Sequence, residues 1–243
     1  MMNLNIIIRG DFSMDLASQI YVRKSCRNYL DDEIDLSDIR EFISDVKPLD
    51  DTIQYHYEIF KKDDVNLRTR WSAPYYLALY SEDKPLSREN LGFIFQQVSL
   101  FMQSIGIGSC WVGMASLKEK NPEFVIVIAF GKSDKMTRDK SSFRRKSLSE
   151  LSDYEDNRLI PAQLAPSAIN SQPWYFKHNE EGFDVYQRKQ NLLKRQILNK
   201  LNPIDVGISL AHLYVENEET FQFYVKNDFE NLKGFMYTGS IKI

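Results

Sequence analysis

Three short segments of this sequence hold residue types that can do chemistry. In Arg23-Lys24-Ser25-Cys26-Arg27-Asn28-Tyr29, three cations fall within five residues around a hydroxyl. Guanidinium groups grip phosphate oxygens through paired N–H bonds, and a serine hydroxyl can donate or accept beside them. The same cluster at a helix end would also complement the helix dipole and stay solvated. The second segment, Ala165-Pro166-Ser167-Ala168-Ile169-Asn170-Ser171-Gln172-Pro173-Trp174, has two prolines among small and amide residues. That composition specifies a rigid turn out of a helix and into a strand. With Pro166 and Pro173 contributing no donors, the N–H groups of Ser167 and Ala168 are expected to be free for a polar ligand edge. As plain structure it is a helix-stop loop. The third segment, Gly106-Ile107-Gly108-Ser109-Cys110-Trp111-Val112-Gly113-Met114, holds three of the chain's ten glycines. Gly106 fits a left-handed helix C-terminus, and the later glycines allow close backbone approach. It follows a helix rather than a strand, which speaks against a dinucleotide-binding turn.

Composition narrows the remaining chemistry. Two cysteines cannot build a four-thiolate zinc site, and His56, His178 and His212 lack metal-ligand spacing, so no metal is expected. Cys26 and Cys110 are not in a C-x-x-C pair and read as small buried hydrophobes. No nucleophile–histidine–acid set or paired carboxylates is evident. A net charge of −3 argues against binding nucleic acid or an anionic membrane with the whole surface. The longest strictly apolar run, Phe124 to Phe130, is far too short to span a bilayer, so no membrane partner is expected. The start, MMNLNIIIRGDFS, does not read as a signal peptide, which makes a reduced cytoplasmic setting the expectation.

The elements that must position these segments follow from periodicity. A helix is read through Leu16 and Ile20, another over 36–46, and a largely buried one over 90–105, ending at Gly106. A further helix is expected over Leu148–Leu164. The last is expected over 203–216, with Asn202 as its cap and Pro203 in its first turn. Strands are expected at 54–60, 75–80, 123–130, 174–178, 182–187 and 221–226. The run EFVIVIAFG suits a strand covered on both faces. In order, these elements form two αββαβ units, residues 1–146 and 147–243. The first unit includes a connector from Lys132 to Lys146 with seven cations against Asp134 and Asp139. Most of those cations are expected to be solvated, with one or two drawn to a bound phosphate.

Taken together, RKSCRNY, APSAINSQPW, GIGSCWVGM and the helical NPIDVGISLAHLYV resemble the nitroreductase-like flavin oxidoreductases. That family binds FMN between two α+β units. The resemblance covers positions from about 20 to 215, and APSAINSQPW is its most specific part. It implies an α+β, nitroreductase-like fold: two αββαβ halves forming an intrachain pseudo-dimer, with central, mostly antiparallel sheets flanked by helices. Arg23, Lys24, Ser25 and Arg27 would hold the FMN phosphate, ribityl chain and pyrimidine edge. Pro166, Ser167, Ala168 and Asn170 would approach from the other half, with Gln172 and Trp174 fixing their loop. Val112 and Gly113 would turn backbone N–H groups toward the reactive edge. Arg145 would reach the phosphate, with Arg144 and Lys146 as competitors.

The family's usual members carry the opening and loop motifs close together in each subunit, whereas here they lie in different halves. The chain therefore resembles an internally duplicated subfamily, a fused dimer reduced to one flavin site. The implied activity is hydride transfer from NADH or NADPH, through FMN, to a small nitroaromatic, quinone or similar acceptor. A flavin-binding carrier or sensor without efficient turnover is the other reading. The implied assembly is a monomeric pseudo-dimer or a weak homo-oligomer.

Overall fold

The computed structural model describes residues 16–67, 69–190 and 192–243. The reading of the first residues as lacking a signal peptide lies outside the described residues. Helix α1 covers 16–22 and α2 covers Ser37–Asp45. The first sheet contains β1 (Tyr55–Lys61), β3 (Tyr75–Ser81), β4 (Ile107–Val112) and β6 (Phe124–Lys132). Its order is β1-β3-β6-β4, with every neighbour antiparallel. A small ribbon, β2 (Val65–Leu67) with β5 (Ala115–Leu117), projects from it. The second sheet contains β7 (Trp174–Asn179), β8 (Gly182–Arg188), β9 (Gln222–Tyr224) and β10 (Phe235–Lys242), in the antiparallel order β7-β8-β10-β9. Helix α3 (Ser87–Ser104) falls between β3 and β4, and α6 (Leu192–Glu216) falls between β8 and β9. Both sheets thus have the same strand order, with one long helix at the same point in each.

The core explains this arrangement. Ile126, Ile128 and Phe130 of β6 face the main core with α3, while Val127 and Ala129 face a second cluster with Tyr76 and Tyr80. A strand buried on both faces needs no polar alternation, as its sequence indicated. Helix α3 is buried almost all round, Gln96 and Gln97 included, because α6 packs along it. Gly106 has φ +81 just past its end.

The structure corrects four element expectations. The segment 148–164 is not one helix but α4 (Leu148–Leu151), a 3-10 turn over Asn157–Leu159 and α5 (Ile160–Leu164). A Ser147–Glu150 capping box starts the first piece. Ser152 is then extended, Asp156 caps the turn by accepting from Arg158 N–H, and Pro161 sits in the first turn of α5. Second, α6 begins at Leu192 and runs through Pro203, so Asn202 is not its cap. Packing against α3 outweighs the backbone bond that proline removes, and Arg88 Nη1 donates to the Lys200 carbonyl in the disturbed turn. Third, Ile107–Val112, which is absent from the expected strands, is one. Fourth, 235–242 is a strand that the periodicity did not reveal. Each half therefore gains a strand and reads αββαββ, the β2–β5 ribbon aside.

Candidate functional site

Arg23 directly follows α1 and is almost fully buried. Its Nη2 donates to Ser25 Oγ at 3.2 Å, while Nη1 is buried with no partner among the described residues. The basic connector folds back along this segment. Lys24 N–H donates to the Met136 carbonyl at 2.9 Å, and Arg138 Nε donates to the Arg23 carbonyl at 3.1 Å. Burial, and the cations of Arg138 and Arg145, press the Arg23 pKa down to about 10. Burial and Arg138 press Arg145 down to about 10 as well. No ion pair joins any of the three arginines to a carboxylate among the described residues. Arg138 and Arg145 bring two further cations close to Arg23, whose buried Nη1 has no partner among the described residues, an arrangement suited to an anion.

Arg145 ties this cluster to the 166–172 loop. Its Nη1 donates to Asn170 Oδ1 at 2.7 Å and its Nη2 to the Leu164 carbonyl at 3.1 Å. Asn170 Nδ2 donates back to the Arg144 carbonyl, and Lys146 Nζ donates to the carbonyls of Ser171 and Gln172. Gln172 Oε1 accepts from Lys146 N–H. Gln172 therefore fixes the loop, as expected, and Lys146 is a clamp on it. Three of its residues take positive φ: Ile169 (48°), Asn170 (58°) and Gln172 (44°). For a β-branched residue that is a strained conformation, and the Ile169 side chain is nevertheless 75% exposed.

Ala168 N–H is not free, contrary to the expectation from the loop's prolines. Ala168 N–H donates to both Asp205 carboxylate oxygens at 3.1 Å, and Gln172 N–H donates to Ser167 Oγ at 2.9 Å. The chain satisfies its own turn, because buried N–H groups need partners whether or not a ligand is present. Asp205 is buried on α6, and burial raises its pKa well above the usual carboxylate value.

The remaining expected residues are more dispersed. Lys24 and Arg27 are exposed, while Ser25 stays beside Arg23. Val112 is buried at the end of β4 opposite Val127, and Gly113 lies in the following turn against Leu201 of α6. Pro166 is buried, and Trp174 is fully buried at the start of β7. Cys26 and Cys110 are free and buried, and burial raises both thiol pKa values, so neither is primed as a nucleophile. Among the described residues no cluster fit to hold a metal ion occurs.

Sequence reasoning missed two participants. Arg138 lay in the basic connector with no spacing to single it out. His212, which its spacing set aside as a metal ligand, sits in a buried chain: Trp111 Nε1 donates to Gln96 Oε1 at 2.9 Å, Gln96 Nε2 meets His212 Nε2 at 2.9 Å, and His212 Nδ1 meets the Pro161 carbonyl at 2.9 Å. Burial, with Arg23 and Arg145 nearby, lowers its pKa to about 3 and keeps the ring neutral. A neutral ring donating to Pro161 accepts from the Gln96 amide, which orients both amide atoms. Two open grooves stand out elsewhere. One of about 420 Å³ runs between residues 47–51 and 223–225, and one of about 450 Å³ lies beside Arg70, Trp71 and Lys118. Neither is lined by 23–27 or 166–172.

For FMN, the test is whether the arginine cluster suits a phosphate, and it does. A buried guanidinium nitrogen without a partner, two further cations and no paired carboxylate, all among the described residues, suit a dianion. Residues 15–217 match the family described as "Putative TM nitroreductase". Among solved structures, one described as a "putative nitroreductase" from Thermotoga maritima is 20% identical over 89% of this chain and 91% of its own, with a TM-score of 0.62. A nitroreductase family protein from Clostridium difficile is 15% identical over 58% of this chain and 98% of its own, with a TM-score of 0.45. Iodotyrosine deiodinase bound to FMN and 3-iodo-L-tyrosine is 16% identical over 56% and 95%, with a TM-score of 0.40. No curated protein matches the sequence. The match over most of the chain, on a fold of paired antiparallel sheets and long helices, places this chain in the "Putative TM nitroreductase" family.

Proposed function

We propose that this chain is an FMN-dependent oxidoreductase that passes hydride from NADH or NADPH to a small nitroaromatic, quinone or similar acceptor. The observation that carries the reading is the buried Arg23 guanidinium, without a partner at Nη1 among the described residues and joined by Arg138 and Arg145 where the first half meets the 166–172 loop. The proposed division of the chain is a fused pseudo-dimer of residues 1–146 and 147–243. Arg23, Ser25, Arg138 and Arg145 hold the phosphate, with Lys24 and Arg27 at the exposed rim. Val112 and Gly113 lie along the ring edge. Pro166, Ser167, Ala168 and Asn170 form the opposite wall.

Bound FMN supplies the hydride chemistry, which is why the site needs no nucleophile of its own. The chain's part is positional and electrostatic. Asp205 pins the wall through Ala168 N–H, and Asn170 is oriented by Arg145 and the Arg144 carbonyl. Clustered cations disfavour loss of negative charge from the site. No described helix is long and apolar enough to cross a membrane. A cytoplasmic setting and a monomeric pseudo-dimer belong to the same proposal.

The test is direct. Purified protein should be yellow or turn so with FMN, hold one FMN per chain, and bleach in stopped flow when NADH or NADPH is added. A preparation that stays colourless with FMN overturns the proposal. Oxidised absorbance persisting under excess nicotinamide would leave a carrier instead of an enzyme.

A further inference from the structure

The two long helices repeat one another in detail. Glu89, Asn90 and Gly92 on α3 and Ile204, Asp205 and Gly207 on α6 share one spacing in sequence, as do Leu86 and Leu201. Asn90 and Asp205 do the same work, each in its own half. Asp205 accepts from Ala168 N–H, in the loop that enters β7. Asn90 Oδ1 accepts from the N–H groups of Leu49 and Asp50 at 2.8 and 3.1 Å, in the loop that enters β1. Pro48 and Pro166 stand at matching places in these loops. Leu201 lies against Gly113, just past edge strand β4, while Leu86 lines a groove with Val225, just past edge strand β9. The groove of about 420 Å³ is therefore the pseudo-symmetric counterpart of the proposed flavin seat.

The counterpart keeps the walls and changes the charge. Pro48, Leu86, Phe223 and Val225 give it apolar sides, and its volume is in the range of small-molecule sites. Where the Arg23 side gathers three guanidiniums, the groove has one cation, Lys47, whose Nζ lies 5.2 Å over the Tyr214 ring. Asp50 and Asp51 add two carboxylates to its lining. Asp50 Oδ1 is held by Thr52 N–H and Oγ, so the charge is fixed in place. An anionic tail is repelled here, whereas a flat ring with N–H donors finds apolar faces and acceptors.

We propose that this groove is a second ligand site, specific for a planar heteroaromatic ring that carries no phosphate or other anion. The inference rests on the reading of the Arg23 side as the flavin seat. Its probe is riboflavin, which has the ring of FMN without the phosphate. The full chain, first saturated with FMN, should take up one further equivalent of riboflavin by equilibrium dialysis while retaining its FMN. Excess FMN should bind there at least ten-fold more weakly. Val225→Arg, at a 60% exposed position, should abolish the second equivalent and leave the first FMN untouched. Asp51→Lys should narrow the preference for riboflavin over FMN. No riboflavin uptake by FMN-loaded protein, uptake unchanged in Val225→Arg, or equal affinity for FMN each overturns the proposal. If the flavin reading itself fails, no form takes up FMN at all, which is a different outcome from one FMN and no riboflavin.

Discussion

Gly92 and Gly207 face each other's helices reciprocally. A methyl group on Gly92 would overlap the Ile204 carbonyl of α6, and one on Gly207 would overlap the Glu89 carbonyl of α3. The two helices cross backbone to backbone at these points, and the contact between them is the largest between any two elements of the fold. Leu201, which lies against Gly113 at the proposed flavin seat, stands on the same α6 face one turn before Ile204.

Gly92→Ala and Gly207→Ala should each destabilise the protein by about 3 kcal/mol, because a backbone carbonyl cannot rotate away as a side chain can. Gly106→Ala, where nothing lies within 4 Å of the added methyl but φ is +81, should cost about 1 kcal/mol. In the double variant the first two should cost less than their sum, since either alone already separates the helices. Urea denaturation of the three variants and the double checks the order.

Arg23→Met should separate stability from binding. The flavin-free variant is expected to melt at the same temperature as the parent or higher, since a buried, repelled cation is removed. Its FMN affinity should fall about 10- to 100-fold, from loss of charge-assisted hydrogen bonds worth about 1.5–3 kcal/mol. Calorimetric melting and flavin titration on the same preparation read both effects. A variant that loses stability and keeps its affinity would remove Arg23 from the phosphate site.

His212 sets a pH dependence. Its folded pKa is lowered to about 3 from an ordinary 6.5, so below pH 6.5 the unfolded chain takes up a proton that the native state refuses. Stability is therefore lost as pH falls from 6.5 toward 3, with a limiting slope of about 1.4 kcal/mol per pH unit from this group. His212→Gln should be less stable at neutral pH and show a flatter stability profile over that window, measured by urea melts at several pH values.

Asp205 acts with the opposite sign. Its folded pKa is raised, so the native state holds the proton more tightly than the unfolded chain. Its contribution is fully present below the ordinary carboxylate range and is lost as pH rises through the raised value. Asp205→Asn retains an acceptor for Ala168 N–H, as Asn90 does for Leu49 and Asp50, and should stabilise the protein at pH 7. Denaturant midpoints at pH 4 and pH 7 should differ less in the variant than in the parent.

Ile169→Gly removes the strain of a β-branched residue at φ 48° and loses little packing, since the side chain is mostly exposed. The flavin-free protein should gain about 1 kcal/mol in a urea melt.

Sequence by itself determined much of this protein. The runs at Tyr75–Ser81 and Phe124–Lys132, the helix ending at Gly106, and the motifs at 23–27 and 165–174 follow from local chemistry: apolar pattern, turn residues and charge. Periodicity did not reveal β4, whose glycines and small residues read as a loop until β6 supplies a partner. Nor did it show that α6 runs through Pro203, because the force that keeps that helix whole is packing against α3. The tertiary structure alone decided that Arg138 joins Arg23 and Arg145, that Ala168 N–H turns inward to Asp205, and that Asn90 repeats the role of Asp205. Each of these joins residues distant in sequence, and a local pattern carries no record of which distant groups the packing of two helices will bring within hydrogen-bond reach.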